Sequence, residues 1–146
     1  MIKIVQALLI LLVVPSLACS ESMIESQIRK RLEKTQENQS KLLSSEKMHV
    51  FLLGSGGPFP NETRDNSGVA VIAGGEFILL DVGPGVVNNM NQLNLPAGKI
   101  SAVFLTHYHS DHITDLGELD FMTWAQGRDR KLDVYGPEGV KQVVAG

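Results

Sequence analysis

A single cysteine, Cys19, is present in 146 residues. An internal disulfide is therefore impossible, and so is a zinc site built from several thiolates. Positive charge is scarce where a globular domain would lie. From Met48 onward there are six Lys and Arg (Arg64, Lys99, Arg128, Arg130, Lys131 and Lys141) against eleven Asp and Glu, a net of −5. That portion lacks the basic footprint of a dedicated nucleic-acid binder. No apolar run is long enough for a comfortable membrane span of about 20 residues. The glycine-rich stretch Gly54-Ser55-Gly56-Gly57-Pro58 is not followed by Gly-Lys-Ser/Thr or directly by a helical pattern, which excludes a phosphate-cradling P-loop. It reads instead as a turn that lets backbone approach closely. Histidine is also sparse, with four in the chain, yet three of the four fall within six consecutive positions. That concentration is the most informative feature of the sequence.

The composition, 43% hydrophobic with a net charge of −3, is that of one globular domain rather than a disordered chain. Residues 1–18 resemble an export signal, with Lys3 as the positive start, residues 4–14 as the apolar stretch and Ser16-Leu17-Ala18 as a small-residue cleavage site. Cleavage after Ala18 would place Cys19 first, as in a bacterial lipoprotein, although Leu17 and Ser16 are displaced from the usual pattern. Cys19 is thus a candidate for lipidation. Simple secretion and an N-terminal anchor are the other readings of the same segment. The expected location is the periplasm, an outer-membrane-anchored lipoprotein, or the medium. Residues 19–47 are polar and charged, with a capping box at Ser22 and Glu25 and Ile24, Ile28 and Leu32 at helical spacing. They read as a helical spacer or a helix leaning on the domain.

From residue 48 the pattern alternates strands and short helices. Strands are expected over 48–53, 67–73, 76–81, 100–105 and 131–135. Gly74-Gly75 is a two-residue hairpin turn requiring positive φ. Helices are expected over 86–93, from Ile113 through Trp124 with a stop near Gly127, and from Glu138 onward. Met122 and Trp124 read as core residues. Asp81 ends one strand beside Gly83 and Gly85, where it could be a ligand, a base or a loop organiser.

Residues 106–112 (THYHSDH) follow a β-branched strand and precede a helix. In an extended segment, residues i and i+2 face the same side. His107 and His109 can therefore grip one metal ion, whereas Asp111 and His112, beyond the turn, face a neighbouring position. Imidazole with carboxylate suits zinc, with manganese or iron as alternatives. His49 lies at the start of the first strand and reads as structural. Arg64, in an irregular loop, is a candidate for binding an anionic substrate group, with a solvated arginine as the plainer reading.

Together these pieces resemble the metallo-β-lactamase superfamily. The resemblance rests on residues 106–112 as its HxHxDH motif and on residues 79–85 (LLDVGPG) as the strand and loop before it. Residues 54–60 (GSGGPFP), Arg64 and residues 134–139 (VYGPEG) are similar to the ribonuclease Z and arylsulfatase-like branch. The resemblance covers residues 48–146. It implies an α/β (α+β) fold, the first half of an αββα sandwich with two metal ions, expected to be Zn2+, at one edge. It further implies that His107 and His109 hold the first metal, that Asp111 and His112 hold the second, that Asp111 acts catalytically on the attacking water, and that Asp81 organises the loop. Later family ligands, a bridging aspartate and two histidines, would lie beyond Gly146. A fragment of a longer, exported metallohydrolase, inactive by itself, is therefore the expectation.

The implied activity is hydrolysis of a phosphodiester or sulfate ester by a metal-activated water. The alternatives are another superfamily hydrolase (lactonase, β-lactamase or thioesterase) and a non-catalytic metal-binding fragment. The acidic domain and the export signal favour a small-molecule ester or phosphodiester over nucleic acid. Membrane contact is expected only through a lipid anchor.

Overall fold

The computed structural model describes residues 2–59 and 61–145, with side chains from Ser22 onward. It divides into two compact units, Met1–Asn38 and Gln39–Gly146. Residues 2–38 of the first unit lie within one helix, α1 (Ile2–Leu43), whose last residues, 39–43, belong to the second. Helix α1 passes without interruption through Ser22 and Glu25, so these residues do not cap a helix start. Ile24, Ile28 and Leu32 are more than half exposed. The export signal, residues 1–18, and Cys19 lie outside the residues whose side chains are described. Among the described residues, no helix is long and apolar enough to cross a membrane.

The second unit is built on a five-stranded sheet: β1 (His49–Gly54), β2 (Gly68–Ala73), β3 (Glu76–Leu80), β4 (Ala102–Phe104) and β5 (Asp133–Tyr135). The spatial order follows the chain, with β1–β2 and β2–β3 antiparallel and β3–β4 and β4–β5 parallel. The β2–β3 hairpin turns at Gly74 (φ 60°) and Gly75 (φ 84°). Both angles lie in the left-handed region that a two-residue turn of this type demands and glycine adopts at little cost. Beyond β3 the connections carry α2 (Val86–Gln92), a 3-10 turn (Ala97–Lys99), α3 (Ser110–Ile113), α4 (Leu116–Ala125) and, after β5, α5 (Val140–Ala145). Strand β4 is shorter than its apolar run suggests. Its flanks still pair, since Ser101 N–H donates to Phe77 O (2.6 Å) and Leu105 N–H to Tyr135 O (2.8 Å).

Alternation along the strands sorts the side chains onto two faces. Ala70, Ile72, Phe77, Leu79 and Val103 point to one face, where they are buried with Val86, Val87 and Met90 of α2 and Leu119 of α4. The opposite face carries two apolar rows in register, Leu52–Val69–Leu80–Phe104–Tyr135 and Val50–Val71–Ile78–Ala102. Phe104 and Tyr135 stack in parallel, with ring centroids 4.9 Å apart. Val50, Leu52, Phe104 and Tyr135 in these rows are solvent-exposed. Trp124, expected in the core, is 65% exposed, because α4 buries Leu119 and Thr123 and turns Trp124 outward; Met122 is half-buried against the core.

Because β3, β4 and β5 are parallel, their carboxyl ends share one edge. Asp81 follows β3, Thr106 follows β4 after one residue, and Gly136 follows β5. Loops beyond the carboxyl ends of parallel strands are where α/β sheets gather their sites.

The two faces should respond differently to substitution. Leu79→Ala is expected to cost about 2–5 kcal/mol through lost burial and a cavity. Leu52→Thr, at an exposed strand position that suits a β-branched side chain, should change stability by less than about 0.5 kcal/mol. Urea denaturation of both variants reads the difference, and equal losses would contradict the assignment of the buried face.

Candidate metal centre

Asp81 sits immediately after β3 with φ 59°, a left-handed conformation that Asp tolerates better than most side chains. The turn buries its carboxylate beneath the loop that follows β4. There it accepts the Thr106 N–H at Oδ1 (2.7 Å), the Thr106 hydroxyl at Oδ2 (2.8 Å) and His112 Nδ1–H at Oδ2 (2.8 Å). A carboxylate can only accept, so these bonds define the proton positions. His112 carries its proton on Nδ1, which leaves the Nε2 lone pair free. Thr106 donates its hydroxyl proton to Asp81, so at the 3.0 Å contact His107 Nδ1–H is the donor to Thr106 Oγ1. Its Nε2 lone pair is free as well. One buried carboxylate thus orients two imidazoles, His112 directly and His107 through a hydroxyl, in the way outer partners fix metal-binding histidines.

The three imidazoles lie together. The His107 ring centroid is 4.6 Å from that of His109, edge-on, and 4.0 Å from that of His112. His112 Nε2 lies 3.5 Å from Asp111 Oδ2. Asp111 is buried in the first turn of α3, and its Oδ1 has no hydrogen-bond partner among the described residues. A buried carboxylate oxygen without a donor is costly unless a cation or water meets it. The donor types and this orphaned oxygen fit a divalent metal. Among the described residues, no group of three or more His, Cys, Asp or Glu is arranged to hold one ion. Four donors shared between two ions give each fewer than the three protein ligands typical of a catalytic zinc.

Backbone contacts join the Asp81 loop to the histidine loop. Val82 N–H donates to His112 O (2.7 Å), and Asp115 N–H donates to Val82 O (3.0 Å). The second bond explains why the helix expected from Ile113 starts at Leu116, with a separate helical turn before it. Asp115 gives its N–H to the neighbouring loop instead of to Asp111 O four residues back, so α3 ends and α4 begins afresh. The Asp115 carboxylate accepts Gly85 N–H (2.9 Å). Gly83 has no room for a side chain, since a Cβ there would meet Asp111 O and come within 2.8 Å of Asn66 Cβ.

Asn66 and Asp115 are residues whose roles the sequence reading missed. Asn66 N–H donates to Pro84 O (3.1 Å), and its side-chain amide donates to Gly57 O (2.5 Å), tying the glycine-rich turn to the Asp81 loop. Their only signal in the sequence is that Asn and Asp are frequent loop organisers. The glycine-rich turn admits backbone closely, as expected, and what it admits is the Arg64–Asn66 segment: Gly56 N–H donates to Asp65 O (2.7 Å). Arg64 itself is exposed. His49 lies on β1 with Nε2 2.9 Å from Ser45 Oγ and takes no part in the cluster.

Fold and loop together define the class: this is a metallo-β-lactamase fold, on the ribonuclease Z-like side of that superfamily. Two solved structures carry the comparison. The metallo-β-lactamase fold protein YhfI from Bacillus subtilis is 33% identical with a TM-score of 0.58, covering 67% of this chain and 42% of its own. The short form of human tRNase Z is 32% identical with a TM-score of 0.60, covering 68% and 38%. Residues 48–144 match the family model described as Anti-Pycsar protein Apyc1, and the chain belongs to that family. Ribonuclease Z of Mycolicibacterium gilvum is 39% identical over 100 residues, 66% of this chain and 35% of the relative. Ribonuclease Z of Thermococcus gammatolerans is 37% identical over 91 residues, 62% and 29%. The chain spans about a third of the length of these curated relatives.

Asp81→Asn separates charge from shape, since Asn also tolerates left-handed backbone. It is expected to destabilise the domain by about 1–3 kcal/mol, because an amide cannot accept all three bonds. The His107 and His112 ring resonances should lose their single tautomer in NMR spectra, and unchanged tautomers would refute the relay. Gly83→Ala should cost at least as much through overpacking, about 1–3 kcal/mol, read by urea denaturation.

Proposed function

We propose that this chain carries the amino-terminal half of the active site of a metal-dependent phosphodiesterase. His107 and His109 hold one divalent ion, Asp111 and His112 the other. The observation that carries the reading is the buried Asp81 relay, which presents two imidazole lone pairs beside a carboxylate whose second oxygen is unpartnered. Zinc is the favoured ion on this donor set, with manganese or iron as alternatives. A substrate of ribonucleotide type is favoured over a sulfate ester, because the curated relatives are named Ribonuclease Z. That shifts weight from the small-molecule ester toward nucleic acid, against the acidity of the domain.

When bound, two divalent ions would supply a water of lowered pKa and positive charge for the developing oxyanion. The protein's own residues prepare the place. Asp111, buried with its Oδ1 unpartnered, is placed to accept a proton from the attacking water. In the neutral rings, Asp81 holds the His112 proton on Nδ1 directly and the His107 proton on Nδ1 through Thr106, leaving Nε2 as the coordinating atom of each. Val82, Gly83 and Asp115 fix the distance between the two loops through backbone contacts. Arg64 is the candidate contact for a substrate phosphate, from a loop tied to the same turn by Gly56 and Asn66. The export-signal reading adds an exported location, with Cys19 as the lipid acceptor.

Calorimetric titration with Zn2+ is expected to give two ions per chain, bound weakly, with one lost in Asp111→Asn. Hydrolysis by the loaded chain, which carries half of a site, should be slight at most; what there is should fall on bis-p-nitrophenyl phosphate before p-nitrophenyl sulfate, a lactone or nitrocefin, and Asp111→Asn should remove it. Asp81→Asn should disturb loop order more than ion stoichiometry. Turnover of the lactone or nitrocefin alone would overturn the phosphodiesterase reading, and no ion binding at all would overturn the metal assignment.

A further inference from the structure

We propose that residues 23–34 of α1 form a surface that binds anionic phospholipid, with Ile24, Ile28 and Leu32 at the interface and Lys30, Arg31 and Lys34 on headgroup phosphates. At 100° per residue, the three apolar side chains fall within about 80° of the helix circumference, and the three cations occupy about 100° directly beside them. Ile24, Gln27, Ile28, Lys30, Arg31 and Lys34 together border one shallow trough along this flank. Ile24, Ile28 and Leu32 are 56%, 54% and 58% exposed, and all three cations are exposed. Glu25, Arg29 and Glu33 lie on the remaining flank, and Glu37, beyond the segment, comes round to within about 20° of Lys30. A stripe of aliphatic side chains edged by cations is the arrangement of helices that lie in a membrane interface, and no described helix is long and apolar enough to span one.

Charge complementarity selects the partner. Residues 1–47 carry seven Lys and Arg against five Asp and Glu, a net of +2, whereas the remainder of the chain carries −5. A negatively charged surface therefore attracts the helix and repels the domain, favouring contact through the helix alone. The apolar residues 4–14 precede the segment in sequence, so a chain held at a membrane by its amino terminus would bring these cations close to the headgroups.

The test uses the whole chain with two vesicle compositions, phosphatidylcholine alone and phosphatidylcholine with about one-third phosphatidylglycerol, in a sedimentation assay. The apolar residues 4–14 would bind both alike, so the difference between compositions reads the cations. Binding to the anionic vesicles is expected to exceed that to neutral ones and to fall steeply between low and high salt. The K30Q/R31Q/K34Q variant should lose about 10- to 100-fold of that partitioning. Circular dichroism of the variant checks that the helix persists, and the single Glu33→Gln change on the far flank should not weaken binding. Equal binding to both compositions, an unaffected triple variant or no vesicle binding would each overturn the proposal. So would binding of a single-stranded oligonucleotide, lost in the triple variant, without any preference between vesicles.

Discussion

The Asp81 carboxylate is the constraint on which the site depends. Its backbone occupies a left-handed turn, which carries the side chain under the neighbouring loop instead of along the strand. Buried there, it would be costly without donors. The Thr106 N–H and hydroxyl and His112 Nδ1–H supply them, and the demand runs both ways: the same bonds set the tautomers of two histidines. A loop of three imidazoles and no such anchor would interconvert among tautomers and rotamers. The buried carboxylate makes one arrangement the lowest in energy before any ligand arrives.

That anchor works only because two loops are brought within hydrogen-bonding distance by the sheet. The parallel run from β3 to β5 places successive strand ends on one edge, so the loops after β3 and β4 are neighbours in space. Gly83 allows the loop backbones to touch, and the Val82–His112 and Asp115–Val82 bonds hold them. The break between α3 and α4 follows from this pairing, since the Asp115 N–H serves the neighbouring loop rather than its own helix. Asn66 extends the connection to the glycine-rich turn, so three loops from different parts of the chain behave as one body around the histidines.

The sheet's second face presents a different problem. Of two in-register apolar rows, one ends in the stacked pair Phe104 and Tyr135, with Leu52 and Val50 open to solvent at the other edge. In a fold made of two packed layers, such a face is the side on which a second layer rests. The chain spans about a third of its curated relatives, and the face matches the metallo-β-lactamase architecture to which it belongs. Residues 23–34 of the long helix are of another character, with apolar residues too few and too narrow for a core and cations gathered along one flank.

Much of this was legible in the residues themselves. The strands, the Gly74-Gly75 turn and the position of the histidine motif after β4 follow from local rules: alternation, positive φ and ligand-like spacing all act within a few residues. The unbroken α1 through Ser22, the outward Trp124 and the divided helix at Asp115 were not legible. Each depends on what packs or bonds from elsewhere, and a capping box or a helical period is only one competitor for the same groups. Asp81 shows the boundary most clearly. Its residue type and its place beside glycines marked it as a loop residue with several available roles. Only the tertiary structure, by setting Thr106 and His112 against it from 25 and 31 residues away, decided that its lone pairs are taken by hydrogen bonds.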